Sequence, residues 1–406
     1  MREMKDSGVE WIGEIPKNWK ICRLKDYAHI CNGRDYSEVL DENGDYPVIG
    51  SGGQFAKACE PLYQKESVLL GRKGTIDKPL FVDYPFWTVD TMYYTEIKEN
   101  VSAKYFYYLC TQIEFDFYQY GSAVPSMTQR DLYNVNFPYP TLDEQRRIAN
   151  YLDRKCSQID TIIAQQQEVI EKLKAYKLSV ITEAVTKGLN PDVPMKDSGV
   201  EWIGEIPEHW DFRRIKNCCL IVDCKNRTPD PDPDGEYIVV RTTCIRDGSF
   251  SYEGSYHTNA ENFKEWTAKG QPQHGDIFFT REAPMGEACL VPDTDNLCMG
   301  QRVMFFRPLD GSDPRYILYS IYGPLAREYI DSKNKGSTVG HLKLGQVASL
   351  PLFYCPPREQ SEIANYLDKR CGAIDKVVEK KAEIISRITD YKKSLIYEVV
   401  TGKKEV

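Results

Sequence analysis

From Glu144 to about Thr186 the chain carries no glycine or proline, and its apolar residues fall three and four positions apart. This is the period of an amphipathic helix, roughly 60 Å long at 1.5 Å per residue. One heptad row reads Leu152, Ile159, Gln166, Leu173 and Val180, and a second stretch of the same period, from Glu359 to about Gly402, gives Leu367, Ile374, Lys381, Ile388 and Leu395. A polar residue interrupts both rows at the same place, Gln166 and Lys381, which suits two helices packed on each other in a fixed register. Flanking rows supply Ile148, Ile162, Val169 and Tyr176 with Ile363, Val377, Ile384 and Tyr391, and Ala149, Cys156, Ile163 and Ile170 widen the stripe and leave a face for a partner protein. From Lys20 to Pro140 and from Asp211 to Cys355 the pattern changes to short apolar and aromatic runs divided by Gly, Pro and Asn, as in SVLLGRKG from Ser67 and DIFFTREA from Asp276. These predict strands and turns. One helix is predicted in each stretch, AKYFYYLCTQIEFDFYQY from Ala103 and PRYILYSIYGPLAREYI from Pro314. The expected fold class is α+β, with two globular domains each followed by a long amphipathic helix.

The pattern is duplicated. MKDSGVEWIGEIPKNW at Met4–Trp19 returns as MKDSGVEWIGEIPEHW at Met195–Trp210, identical at fourteen of sixteen positions, and EQRRIANYLDRKCSQID from Glu144 returns as EQSEIANYLDKRCGAID from Glu359. The first match repeats after 191 residues and the second after 215, so the second copy holds 24 more residues between its shared ends. The junction TKGLNPDVP, Thr186–Pro194, has the Gly and Pro punctuation that ends a helix. The expected organisation is a first domain over 1–143, a spacer helix over 144–186, a linker and second domain over 187–358, and a second spacer helix over 359–402.

A chain of 406 residues accommodates this plan, and no apolar run is long enough to cross a bilayer. The first residues show no secretory pattern, so a cytoplasmic address and no membrane partner are expected. The net charge of −8 counts against nucleic acid unless a local face or a partner supplies the cations. Thirteen cysteines are scattered and odd in number; Cys218, Cys219 and Cys224 lie nearest to a metal pattern but lack a second pair, so buried reduced thiols and no metal are expected.

No Walker A loop, GxGxxG, HExxH or GxSxG occurs, and the five histidines do not recur between copies, so no catalytic residue is assigned. Binding groups fit the repeat better. Arg72 follows SVLLG and Arg281 follows DIFFT, a recurrence that suits phosphate or structural anchoring, with Lys73 adding charge in the first copy only. YPVIGSGGQ from Tyr46 faces YIVVRTTCI from Tyr237, offering Gln54 in one and Arg241, Thr242 and Thr243 in the other as groove-edge hydrogen bonders. GSAVPSMTQRDL from Gly121 and GSTVGHLKLGQV from Gly336 add Ser122, Gln129 and Arg130, and Lys335, Ser337, Thr338, His341 and Lys343. All are candidate DNA contacts.

With the repeated EWIGEIPxxW segment, the GS loop and the EQxxIAxYLD helix start, the chain resembles the specificity subunit of type I restriction-modification systems over essentially its whole length. The resemblance implies two target-recognition domains reading the halves of a split asymmetric site in double-stranded DNA, and two antiparallel helices, paired like a coiled coil, that set the gap. It implies two methyltransferase subunits docked on those helices and carrying S-adenosylmethionine, with none in this chain, and restriction subunits joining the larger complex. On this expectation the chain is a non-catalytic subunit. A scaffold joining protein partners through its helices, without DNA, and a self-sufficient modification enzyme are the alternatives.

Overall fold

A computed structural model describes residues 2–115, 125–309, 311–334 and 340–406. Helices run over Ala103–Cys110 (α1), Gln129–Asn134 (α2), Leu142–Lys187 (α3), Ala260–Trp266 (α4), Pro314–Tyr322 (α5), Pro324–Asn334 (α6), Leu344–Ala348 (α7) and Pro357–Val400 (α8). Both long helices begin two residues ahead of the periodic stretch. Thr141 accepts from the Glu144 backbone at the start of α3, and Pro357 opens α8 with its φ already set for a helix.

The chain divides into two compact units, Met1–Gln167 with Ala382–Val406, and Glu168–Lys381. The four linear segments expected from the sequence are thus regrouped, because the end of each long helix packs into the core that begins the other. In the first unit the core gathers Trp19, Tyr27, Tyr105, Phe106 and Phe137, Ile148, Leu152 and Ile159 of α3, and Leu395, Val399 and Val400 of α8. In the second it gathers Trp210, Tyr316 and Phe353, Val180 and Val185 of α3, and Ile363, Leu367 and Cys371 of α8. The predicted heptad rows are buried at these ends and half-buried at Gln166, Leu173, Lys381 and Ile388. One ion pair recurs: Asp160–Lys392 at 2.7 Å in the first unit and Asp375–Lys177 at 2.7 Å in the second.

Each unit carries a four-stranded antiparallel sheet. In the first its order is Ala28–Asn32, Met92–Ile97, Ser67–Gly71, Leu80–Val82; in the second, Cys219–Val222, Val303–Pro308, Ile277–Thr280, Ala288–Leu290. Ser67–Gly71 and Ile277–Thr280 are buried at every position, which explains their unbroken apolar runs. A three-stranded sheet joins Tyr46–Gly50 to Gly53–Ala58 and Trp87–Thr88, and Tyr237–Val240 to Tyr256–Thr258 and Leu297–Met299. The second unit's additional residues form a hairpin, Ile245–Arg246 with Ser249–Phe250, and the helix α4. Two helix expectations change: α1 ends at Cys110, and PRYILYSIYGPLAREYI breaks into α5 and α6 because Gly323 is extended and Pro324 has no N–H to continue α5.

A repeated set of bonds ties each domain to its helix. Tyr105 donates to the Pro138 carbonyl and Tyr316 to that of Phe353. Gln145 accepts from the Ser102 backbone and donates to Pro140, as Gln360 does with Asp313 and Cys355. Asp153 takes Tyr108 and Lys104, and Asp368 takes Tyr319 and Arg315, at 2.5–2.9 Å. One difference adds a charge: Ser102 is replaced by Asp313. Burial pushes the Asp313 carboxyl up, but Arg315's guanidinium and backbone N–H outweigh this and hold it below its ordinary value. A carboxylate lowered on folding stabilises above its unfolded pKa, and that contribution is lost as pH falls through the folded one. Between about pH 5 and pH 3, Asp313→Asn should therefore flatten the decline in stability of the second unit, read by urea unfolding at each pH.

Candidate nucleic-acid interface

In the first unit, three stretches singled out in the sequence converge through one residue. Thr91 accepts from the Arg72 and Lys73 backbones at 2.9 and 3.2 Å through its carbonyl, and from Ser51 N–H at 3.4 Å through its hydroxyl. The Arg72 carbonyl accepts from Met127, and Lys73 bridges Ser126, which brings in the segment ahead of α2. Gly74 adopts φ +81°, and a Cβ there would lie 3.1 Å from Ser51 Oγ, so glycine serves this close approach of loops. The surface so formed presents Gln54, Arg72, Lys73, Gln129 and Arg130. Arg72 lies 5.8 Å over the Tyr93 ring and donates to the Asp90 carbonyl, Lys73 stands 3.7 Å from Asp90, and Gln129 donates to Asn32. Arg130 is exposed at the start of α2, which Thr128 caps.

The second unit builds the same surface with different chemistry. Arg281 N–H donates to Arg302 and its carbonyl accepts from Leu342, as Arg72 does with Thr91 and Met127. Thr242 donates to the Ala283 carbonyl at 2.9 Å, Arg241 reaches Gly254, and Thr243 packs so tightly on Gly254 that a Cβ there would lie 2.4 Å from its hydroxyl. Glu282 occupies the place of Lys73, bonding His341 at 2.8 Å and pairing with Arg302. Lys343 is exposed beside them.

Arg281 does not present its charge outward. Its Nη1 donates to both oxygens of Asp223 at 3.0 and 2.9 Å, and its side chain is only 12% exposed, so the geometry favours anchoring over contact for this member of the recurrent pair. Ser122, Lys335, Ser337 and Thr338 lie outside the described residues. The sequence reading passed over Phe55, Tyr36, Phe250 and Tyr252, which stand on these surfaces; an apolar residue at strand spacing carries no sign of being exposed.

Among the described residues no group of three or more His, Cys, Asp or Glu is arranged to hold a metal ion, and no helix is long and apolar enough to cross a membrane. Ten cysteines are buried, and burial pushes the thiols of nine of them up, Cys371 to about 11 and Cys298 and Cys355 to about 12. High thiol pKa values make poor nucleophiles and poor metal ligands at neutral pH.

A family profile described as the type I restriction modification DNA specificity domain matches the chain twice, over residues 16–172 and 207–386. The chain belongs to the type I restriction-modification specificity family. Each match contains one domain and most of the long helix after it, and membership of this family implies DNA sequence recognition. The MjaVIII specificity subunit of Methanocaldococcus jannaschii is 21% identical, covering 97% of this chain and 94% of that protein. The EcoDI specificity subunit of Escherichia coli is 17% identical over 96% of this chain and 90% of that one. A solved chain, described under complex assembly and conformational transition of the type I R-M system, superposes with a TM-score of 0.66, 14% identity and coverage of 96% and 99%. That likeness shows a shared fold.

Proposed function

We propose that this chain reads a bipartite, asymmetric site in double-stranded DNA, one half with each unit, and brings methyltransferase and restriction subunits to it without chemistry of its own. The observation that carries the reading is one structural plan bearing two unlike surfaces: Ser51–Gln54 and Lys73 in one unit, Arg241–Thr243 and Glu282 in the other. A repeated plan suits repeated docking on DNA and on two copies of a partner, and unlike surfaces suit unlike half-sites. The two long helices pair as an antiparallel coiled coil that fixes the gap between half-sites, supported by the heptad rows and by the repeated Asp160–Lys392 and Asp375–Lys177 pairs. Methyltransferase subunits, carrying S-adenosylmethionine, dock on the apolar rows left open, where Ile162, Tyr176, Val377, Ile384 and Tyr391 are 43–56% exposed. Partner surfaces offset the acidic balance of this chain.

The test is methylation mapping of DNA from cells expressing the chain with its methyltransferase. A split motif is expected only with both proteins. Exchange of residues 20–140 is expected to change one half and exchange of 211–355 the other, and one added heptad in α3 and α8 together to lengthen the gap. A stable, active complex that yields no split motif would sink the reading in favour of a protein-only scaffold.

A further inference from the structure

The connection between the first two strands of the three-stranded sheet is the place where the domains differ most. In the first unit Gly50 passes to Gly53 through Ser51 and Gly52; in the second, Val240 reaches Tyr256 through the turn Thr242–Cys244, the hairpin and the loop Ser251–Ser255. The two paths share no sequence, yet each ends by raising one aromatic ring into solvent. Phe55 is 54% exposed and Tyr252 is 52% exposed.

Both rings are held in the same manner. Tyr36 meets Phe55 edge-on at 5.4 Å and 86°, and Phe250 meets Tyr252 edge-on at 5.0 Å and 89°. Phe55 also lies over its own turn, since a Cβ on Gly50 would come within 3.1 Å of its ring. The Tyr252 carbonyl accepts from Ser255 N–H and hydroxyl, and the same loop gives its Gly254 carbonyl to Arg241. Each ring is thus fixed on one side, open on the other, and adjacent to hydrogen-bonding candidates: Gln54 in one case, Arg241 and Thr243 in the other.

A fixed, exposed ring leaves apolar area in water unless something apolar covers it. On a surface whose other groups suit the polar edges of bases, the apolar feature a duplex offers is the C5-methyl group of thymine in the major groove. We propose that Phe55 and Tyr252 are specificity-determining residues, each covering a thymine methyl within its unit's half-site. The inference rests on the DNA-reading function proposed above.

The test uses the full chain in complex with its methyltransferase, on duplexes carrying the mapped motif. Deoxyuridine, which lacks only the methyl, replaces thymidine one position at a time. The wild-type complex is expected to lose about tenfold in methylation rate at one position of each half-site. Phe55→Ala is expected to erase that loss in one half alone, and Tyr252→Ala in the other, the untouched half reporting an intact fold. Unreduced rates at every thymine of the wild-type site overturn the proposal without recourse to a variant, as do variants that keep the full deoxyuridine effect. A wild-type complex with no split motif would instead count against DNA reading itself, so the two failures are distinguishable.

Discussion

Trp210→Ala is expected to destabilise the second unit by about 3–5 kcal/mol, the usual range for emptying a fully buried tryptophan site. The side chain is completely buried, packs beside Gly188 at the end of α3, and donates its indole N–H to Glu359 at 3.0 Å near the start of α8. The substitution therefore removes both a large apolar body and the partner of a carboxylate. Trp210→Phe separates the two, keeping most of the volume while losing the bond, and is expected to cost about 1–3 kcal/mol. The repeat supplies a control. Trp19 stands at the same position of the first unit, but its indole nitrogen has no partner among the described residues, because Glu144 turns instead to Arg2 at 3.1 Å. Trp19→Phe should accordingly cost less than Trp210→Phe. Urea unfolding, with hydrogen exchange in α1 and α5 reporting each unit, measures the difference, and equal costs would show that the Glu359 bond adds nothing.

The two recurrent arginines should separate just as sharply. Arg281→Ala leaves Asp223 without its guanidinium in a largely buried place, for an expected loss of about 2–3 kcal/mol in the stability of the second unit. Arg72 is half-buried, and among the described residues its side chain makes a long bond to the Asp90 carbonyl and lies against Tyr93. Arg72→Ala should change stability by less than about 1 kcal/mol while weakening DNA binding and lowering the salt slope by about 1, as loss of a phosphate contact does. Denaturant melts and a salt titration of duplex binding by the complex distinguish them. Arg72→Ala with an unaltered salt slope would remove Arg72 from the interface.

The residues legible in the sequence are those that packing fixes. Trp19 and Trp210, Gln145 and Gln360, and the heptad rows recur because each fills the same space or makes the same bond in both units. Strands such as Ser67–Gly71 were readable because burial on both faces demands an unbroken apolar run. The helix break at Gly323–Pro324 stood in plain view as Gly-Pro punctuation but was outweighed by the surrounding period. The regrouping into units was not legible, since periodicity along one helix does not say which core receives its far end. Nor was the state of Arg281: its identity with Arg72 at the strand end conceals that the second unit has an Asp at 223 where the first has Asn32. Exposed aromatics look like core residues to any pattern of spacing, which hid Phe55 and Tyr252.

The bonds that tie each domain to its helix have a consequence for how such a gene changes. Every one of them engages residues at the shared ends of the repeat or the short helix α1 or α5 between them. A crossover within the near-identical opening segments and another within the helix starts would therefore deliver a foreign domain carrying its own side of the bonds to Gln145 and Asp153, or to Gln360 and Asp368, onto a recipient helix that already holds the other side. Diversity can then arrive in whole domains, each meeting a helix start that already fits.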